Sequence, residues 1–169
     1  TKTSFELPEK VTFNEHVAPI VHANCSPCHR SDGGAPFQMI EYRDVAKRAK
    51  MIAEVTADRY MPPWPADPHY RSFVEERYLS ERQIAMLAKW VDDGRLEGKG
   101  TAPEPPLFQT GSMFGEPDLV VALDDSVFIE GNNLDKFMVM KIPFELPKDT
   151  FIRLIEFVPG NRELVHHMN

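Results

Sequence analysis

The sequence has no long apolar run, few cysteines and no excess of basic charge. Without a run of about 18 apolar residues, no membrane-spanning helix is expected. Cys25 and Cys28 are the only cysteines, which excludes a framework of disulfides. The formal net charge of −7 at pH 7 disfavours nucleic-acid binding, because proteins that bind nucleic acids present basic patches.

The hydrophobic content is sufficient for a folded domain, since 42% of the 169 residues are hydrophobic. Apolar residues at helical spacing predict three amphipathic helices in the first half of the chain. The first is predicted to begin at Thr12 and the second to run from about residue 42 to 55. Ser80 begins the third with Gln83 as its capping-box partner, and Gly94 ends it.

The pattern changes after a Gly/Pro-rich stretch at residues 98–117, which predicts a linker. Short runs rich in Val, Ile and Phe then predict strands at 118–123, 126–130, 137–142 and 150–158. The expected fold class is α+β, with an all-α domain at 1–97 and a partial antiparallel, sandwich-like β segment at 118–169. Because its strands would have open edges, we expect them to pack on the first domain, to pair with another chain as a β-edge oligomer, or to continue into a larger sandwich.

Residues 25–29 form a C-x-x-C-H motif, the signature of c-type haem attachment. Two thiols at this spacing, Cys25 and Cys28, each form a thioether with a haem vinyl group, and His29 then binds the iron. One alternative is a zinc site that recruits His16 and His22. Another is a thioredoxin-like redox pair, although such a pair follows a strand, whereas this one follows a predicted helix. The motif favours haem.

A six-coordinate haem needs a second axial ligand. Met61 is favoured because Pro62 and the following prolines stiffen the loop that presents its sulfur, and methionine with histidine is a known haem ligand pair. His69 is the runner-up. Met39 is expected in the core, Met51 is expected to face solvent, and Met86 is expected to lie off the apolar stripe of its helix. The remaining candidates are His16 and His22.

Several runs of the sequence together resemble one group of proteins. They are MPPW at 61–64, LS at 79–80, KWVDDG at 89–94, GEPDLV at 115–120 and PGNR at 159–162. The chain thereby resembles bacterial proteins in which a class I cytochrome c domain is fused to a copper type II, ascorbate-dependent monooxygenase-like module. The resemblance covers nearly the whole chain.

The resemblance implies a second metal, copper. Val165-His166-His167 is similar to the first copper-binding strand of that module, in which paired histidines supply two of three imidazoles to one copper. The other copper ligands of the family have no counterpart up to Asn169. From the residues alone, a pair of exposed histidines without metal is the alternative, because adjacent strand residues point to opposite faces.

These features predict a c-type cytochrome that transfers electrons through one haem c with His29 and Met61 as axial ligands. Its partner is expected to be a downstream copper domain or another redox protein. The alternatives are the front part of a copper monooxygenase that is inactive by itself, and a haem-based gas or redox sensor. The resemblance implies a periplasmic location, because haem is attached to this motif outside the bacterial inner membrane.

Overall fold

The computed structural model of the chain describes residues 5–67, 69–74, 76–108, 112, 114–123, 125–132, 134–162 and 164–165. The chain divides into two compact units, Thr1–Phe108 and Gln109–Asn169. The boundary between the units lies within residues 98–117.

Helices build the described part of the first unit. They are a π-helical turn at Phe13–Val17, α1 at Ala18–Asn24, α2 at Tyr42–Ala46, α3 at Ala49–Ala57 and α4 at Glu81–Asp92. The single helix expected over residues 42–55 is two helices, because Arg48 between them leaves the helical region with φ −115° and ψ 8°. In the described part of the chain, no helix is long and apolar enough to cross a membrane.

The first helix begins after Thr12, where the spacing of Thr12 and Glu15 predicts a capping box that the structure does not show. The Thr12 side chain makes no capping hydrogen bond. Instead, the Thr12 backbone N–H donates to Nδ1 of His16 at 3.1 Å. Pro19 is the second residue of α1 and directly follows the π-helical turn, where it has no N–H to donate to the preceding turn.

Helix α4 follows its sequence signals closely. Ser80 and Gln83 form the predicted capping box: Ser80 Oγ accepts from the Gln83 N–H at 3.2 Å, and Gln83 Oε1 accepts from the Ser80 N–H at 2.8 Å. Gly94 adopts φ 87° just after the helix, which a side chain would disfavour. Met86, however, is 3% exposed and belongs to the core. It is buried because α4 packs against both α3 and the π-helical turn.

The core of the first unit joins its first and last helical elements. The Phe13 ring lies 6.0 Å from that of Trp90 and 5.6 Å from that of Tyr42, centre to centre. The backbone carbonyl of Leu96, just beyond α4, accepts from Trp90 Nε1 at 2.9 Å and from the Phe13 N–H at 2.8 Å. These contacts join residues that are far apart in sequence and stabilise the helices of the first unit.

The predicted β segment is wrong, and with it the α+β fold class. The described residues of the second unit contain no strand or sheet. Their apolar side chains, such as Phe128 at 78%, Val139 at 92% and Phe151 at 104% exposure, remain at the surface. A strand is stabilised by hydrogen bonds and side-chain contacts with a paired strand. Runs of Val, Ile and Phe have the composition of a strand, but this composition does not provide a second strand to pair with.

Candidate functional site

The C-x-x-C-H motif forms a tight turn at the end of α1. The backbone N–H groups of Cys28 and His29 both donate to the carbonyl oxygen of Cys25, at 3.1 and 2.9 Å. Both cysteines are free thiols; Cys25 is half-buried and Cys28 is exposed. The turn therefore offers two unpaired sulfur atoms and an imidazole within five consecutive residues.

The segment that follows the motif folds back onto it. The buried hydroxyl of Ser26, between the two cysteines, lies 2.6 Å from the carbonyl oxygen of Met39 and donates to it. The Met39 N–H in turn donates to the His29 carbonyl at 2.8 Å. Met39 itself is 3% exposed, which confirms its expected place in the core. Ser26 was not recognised from the sequence, because the contact depends on a residue 13 positions away.

A close backbone approach also constrains the turn. A Cβ atom added at Gly33 would lie 2.0 Å from the Cys28 carbonyl oxygen. That oxygen also accepts from the Ala35 N–H at 3.2 Å. Gly33 is thus a second residue that shapes the site without carrying a reactive group. The only sequence signal for it is a glycine pair shortly after the motif.

One nitrogen of the His29 ring is already engaged. Nδ1 lies 2.9 Å from the backbone carbonyl oxygen of Phe37. Since a carbonyl oxygen only accepts, Nδ1 of the neutral ring carries the proton. The Phe37 ring also packs against the imidazole, with the ring centres 4.6 Å apart. This leaves Nε2 with its lone pair available to a metal, in an orientation fixed by Phe37.

The two thiols differ in their environments. Burial of Cys25, and secondarily the negative charge of a Cys28 thiolate, raise the pKa of Cys25 from its ordinary 9.0 to about 12. Cys28 is exposed, and its Sγ lies 3.4 Å from Nη1 of Arg77. Cys25 is therefore a neutral, poorly nucleophilic thiol near pH 7.

Arg77 contacts the motif and also lines a cavity beside the proline loop, the proline-rich stretch that begins at Met61. It lines a cavity of about 80 Å³ together with Met61, Trp64 and Tyr78. Met61 is half-buried, and its backbone N–H donates to the Val55 carbonyl at 3.0 Å. The thioether favoured as the distal ligand thus lines the same cavity as the arginine that contacts the Cys28 sulfur.

The Trp64 indole, which lines this cavity, has a buried polar atom. Its Nε1 is buried and has no hydrogen-bond partner within the described part of the chain. The indole also packs edge-on against Phe73, with ring centres 6.0 Å apart. A buried N–H without an acceptor costs free energy, so it is consistent with a polar group that the chain itself does not supply.

The other candidate ligands lie elsewhere. His69 is exposed, and its backbone N–H donates to Asp67 Oδ1 at 2.8 Å. Met51 is 41% exposed, as expected. Nδ1 of His16 interacts with the Thr12 backbone, and Nε2 of His22 lies 3.0 Å from the Ile40 carbonyl oxygen. These two rings therefore make local contacts that hold loops in place.

The described residues contain no cluster of three or more His, Cys, Asp or Glu side chains arranged to hold a metal ion. His166 and His167, which the resemblance assigns to copper, lie outside the described residues. Comparisons of the chain with models of protein families, with curated proteins and with solved structures found no match.

Proposed function

We propose that this chain is a c-type cytochrome module that carries one covalently attached haem and transfers single electrons. The observation that carries the proposal is the imidazole of His29, oriented by Phe37, next to two free thiols at the C-x-x-C-H sequence spacing of haem attachment. The family resemblance of the sequence points in the same direction.

The donor set fits a haem. Thiols can form the two thioethers, and an imidazole with a thioether is an established pair of axial ligands. Trp64 Nε1 is buried and has no partner among the described residues, so a rearrangement that brought a carboxylate or carbonyl group of a ligand next to it would satisfy this N–H. The cavity beside Met61, at about 80 Å³, is smaller than the roughly 300–1,000 Å³ typical of ligand pockets. A porphyrin bound beside Met61 would therefore require the loop that begins at Met61 to lie further out than it does here.

Each residue has a separate task in this proposal. Cys25 and Cys28 form the covalent links. His29 presents Nε2, and the bond from its Nδ1–H to Phe37 increases the basicity of the ring. Met61 supplies a neutral sulfur, which raises the reduction potential relative to a second histidine. When bound, the haem iron supplies one-electron chemistry by alternating between its ferric and ferrous forms.

The proposal includes a partner and a compartment. By its resemblance to the fused bacterial proteins, the chain delivers electrons to a downstream copper domain or to another redox protein, in the periplasm. Because the histidine pair at 166–167 lies outside the described residues, the copper part depends on the resemblance alone.

The test is production in a bacterial host that attaches haem to exported proteins, followed by intact mass measurement under denaturing conditions. We expect a mass increase of one haem that survives denaturation, with the absorption spectrum of a low-spin c-type cytochrome. The double variant Cys25→Ala/Cys28→Ala should lose the covalent mass, whereas Met51→Ala, at an exposed methionine, should keep it. A colourless wild-type preparation from this host would contradict the proposal.

A further inference from the structure

A group of cationic side chains surrounds one concave surface of the first unit. The concavity has a volume of about 400 Å³, and Lys47, Arg48, Lys50 and Arg95 line it together with Phe37 and Met51. We call it the basic concavity. It is notable because the whole chain is acidic, with a formal net charge of −7.

The cations of the basic concavity are not in direct contact with carboxylates of the described residues. In the described part of the chain, none of its four cations forms an ion pair. The Asp44 carboxylate on neighbouring α2 is engaged by the Glu41 backbone N–H at 3.3 Å as part of a capping box. Clustered cations on a concave, low-dielectric surface create a positive potential that attracts anionic groups from solution.

The basic concavity is connected to the proposed iron ligand by direct contacts. The guanidinium carbon of Arg48 lies 4.1 Å from the centre of the Phe37 ring. Phe37 also contacts His29, whose ring centre lies 4.6 Å away and whose Nδ1 bonds to the Phe37 carbonyl. A molecule that touches Arg48 is therefore separated from the imidazole of His29 by one aromatic ring.

We propose that the basic concavity is the docking surface for an acidic patch on the protein that exchanges electrons with this chain. The inference rests on the proposed function. A protein surface fits better than a small anion, because Lys47, Lys50 and Arg95 are exposed and only Arg48 is held by ring stacking. Met51, at 41% exposure, adds the apolar contact that is common at the centre of protein interfaces.

The first test measures electron exchange of the haem-loaded chain with small oxidants of opposite charge. Hexacyanoferrate(III) accepts one electron from the ferrous protein and becomes hexacyanoferrate(II); a tris(phenanthroline)cobalt(III) cation serves as the comparison. We expect Lys47→Glu/Lys50→Glu to slow the anionic oxidant about tenfold at low ionic strength and to leave the cationic oxidant equally fast or faster. High salt should remove the difference, since it screens exposed charges.

A matched control separates a local effect from one of net charge. Lys10→Glu/Arg82→Glu makes the same change of charge at exposed residues outside the basic concavity. We expect it to slow the anionic oxidant much less. Equal effects of the two double variants, or no effect of Lys47→Glu/Lys50→Glu, would overturn the proposal.

The second test has a readout that does not need haem. Hexacyanochromate(III), a paramagnetic anion that does not exchange electrons here, should broaden the amide signals of residues 47–50 and 95 in the NMR spectrum of the full chain. The broadening should vanish in Lys47→Glu/Lys50→Glu. If the host that attaches haem to exported proteins yields only chain without covalent haem, and that chain still shows the broadening, the proposed function is refuted and the anion-attracting surface is kept. Saturable 1:1 binding of inorganic phosphate at these residues, with no charge effect on electron exchange, would indicate a small-anion site and refute the docking surface.

Discussion

The backbone carbonyl oxygen of Phe37 lies 2.9 Å from Nδ1 of His29 and determines where the imidazole carries its proton. In the haem-free chain, at a pH where the ring is neutral, we expect His29 to be the Nδ1–H tautomer. Two-bond ¹⁵N–¹H correlation spectra of the histidine rings measure this directly. His69, which is exposed, should show the tautomer mixture of an unconstrained imidazole. An Nε2–H tautomer at His29 would contradict the proposal that this ring presents an unprotonated Nε2 to a metal.

Gly33 gives a second prediction about the same turn. A methyl group at this position would collide with the Cys28 carbonyl oxygen, which is backbone and cannot simply rotate away. We expect Gly33→Ala to lower the free energy of unfolding by about 1–3 kcal/mol, the usual cost of overpacking. Gly131→Ala is the control, because a Cβ at Gly131 meets no atom within 4 Å. Equal unfolding midpoints in urea for the two variants would show that the turn tolerates the methyl group.

The sequence predicts most reliably those elements whose causes are local. The α4 start is one, because Ser80 and Gln83 are three residues apart and satisfy each other. The burial of Met86 was missed because α4 packs against two elements, α3 and the π-helical turn. A single apolar stripe on a helix cannot show that two neighbours cover it.

The same reason explains the failure in the second unit. Composition alone suggested strands at residues such as Phe128 and Val139, but pairing is a property of two segments and not of one. Within the site, the motif residues were evident from their spacing. Ser26 and Gly33, which hold the motif, act through backbone atoms that only the folded chain brings near.

The distal ligand can be identified by comparing two variants of the haem-loaded chain. Met61 lines the cavity that also contains Arg77, the residue in contact with Cys28, whereas His69 is exposed. We therefore expect Met61→Ala to abolish the long-wavelength charge-transfer band of methionine-bound ferric haem and to admit exogenous imidazole or carbon monoxide rapidly. His69→Ala should leave the ferric spectrum unchanged. The reverse pattern would assign the distal position to His69.

The raised pKa of Cys25 predicts unequal thiol reactivity in the haem-free chain. Raising the pKa from 9.0 to about 12 lowers the thiolate fraction near pH 8 by about a thousandfold. A more basic thiolate is also a stronger nucleophile, which offsets part of this decrease in the thiolate fraction. Alkylation of Cys25 should therefore be about 50-fold slower than that of an ordinary cysteine. Peptide mapping after timed iodoacetamide treatment should find Cys28 modified first. Comparable rates at the two positions would contradict the burial of Cys25.

The same shift has a consequence for stability at alkaline pH. Because the folded pKa lies above the unfolded value, the protonated thiol contributes stability that is present below pH 9 and is lost as the pH rises toward 12. Urea unfolding of the haem-free chain should therefore show a declining free energy above pH 9. Cys25→Ala should lack this component of the decline, whereas Cys28→Ala should keep most of it, because burial is the larger cause of the shift.

The lowered pKa of Asp93 predicts a loss of stability at acidic pH. Its carboxylate accepts from Lys89 Nζ at 2.9 Å and from the Val11 backbone N–H at 2.7 Å, and these contacts, with the lysine first, lower its pKa below the ordinary 3.8. A lowered folded pKa means that the stabilisation is present above pH 3.8 and is lost as the pH falls through the folded value. Asp93→Asn can still accept from Val11 but has no charge. We expect a small decrease in the unfolding temperature at pH 7, as befits an ion pair near the surface.

The difference between Asp93→Asn and the wild type should shrink as the pH falls below 4, because the wild-type carboxylate then loses its charge too. Asp92→Asn removes the same charge from an exposed neighbour on α4 and serves as the control. If both variants shift the unfolding temperature equally at every pH, the effect is one of net charge. In that case, the contact between Val11 and the end of α4 does not depend on ionisation of Asp93.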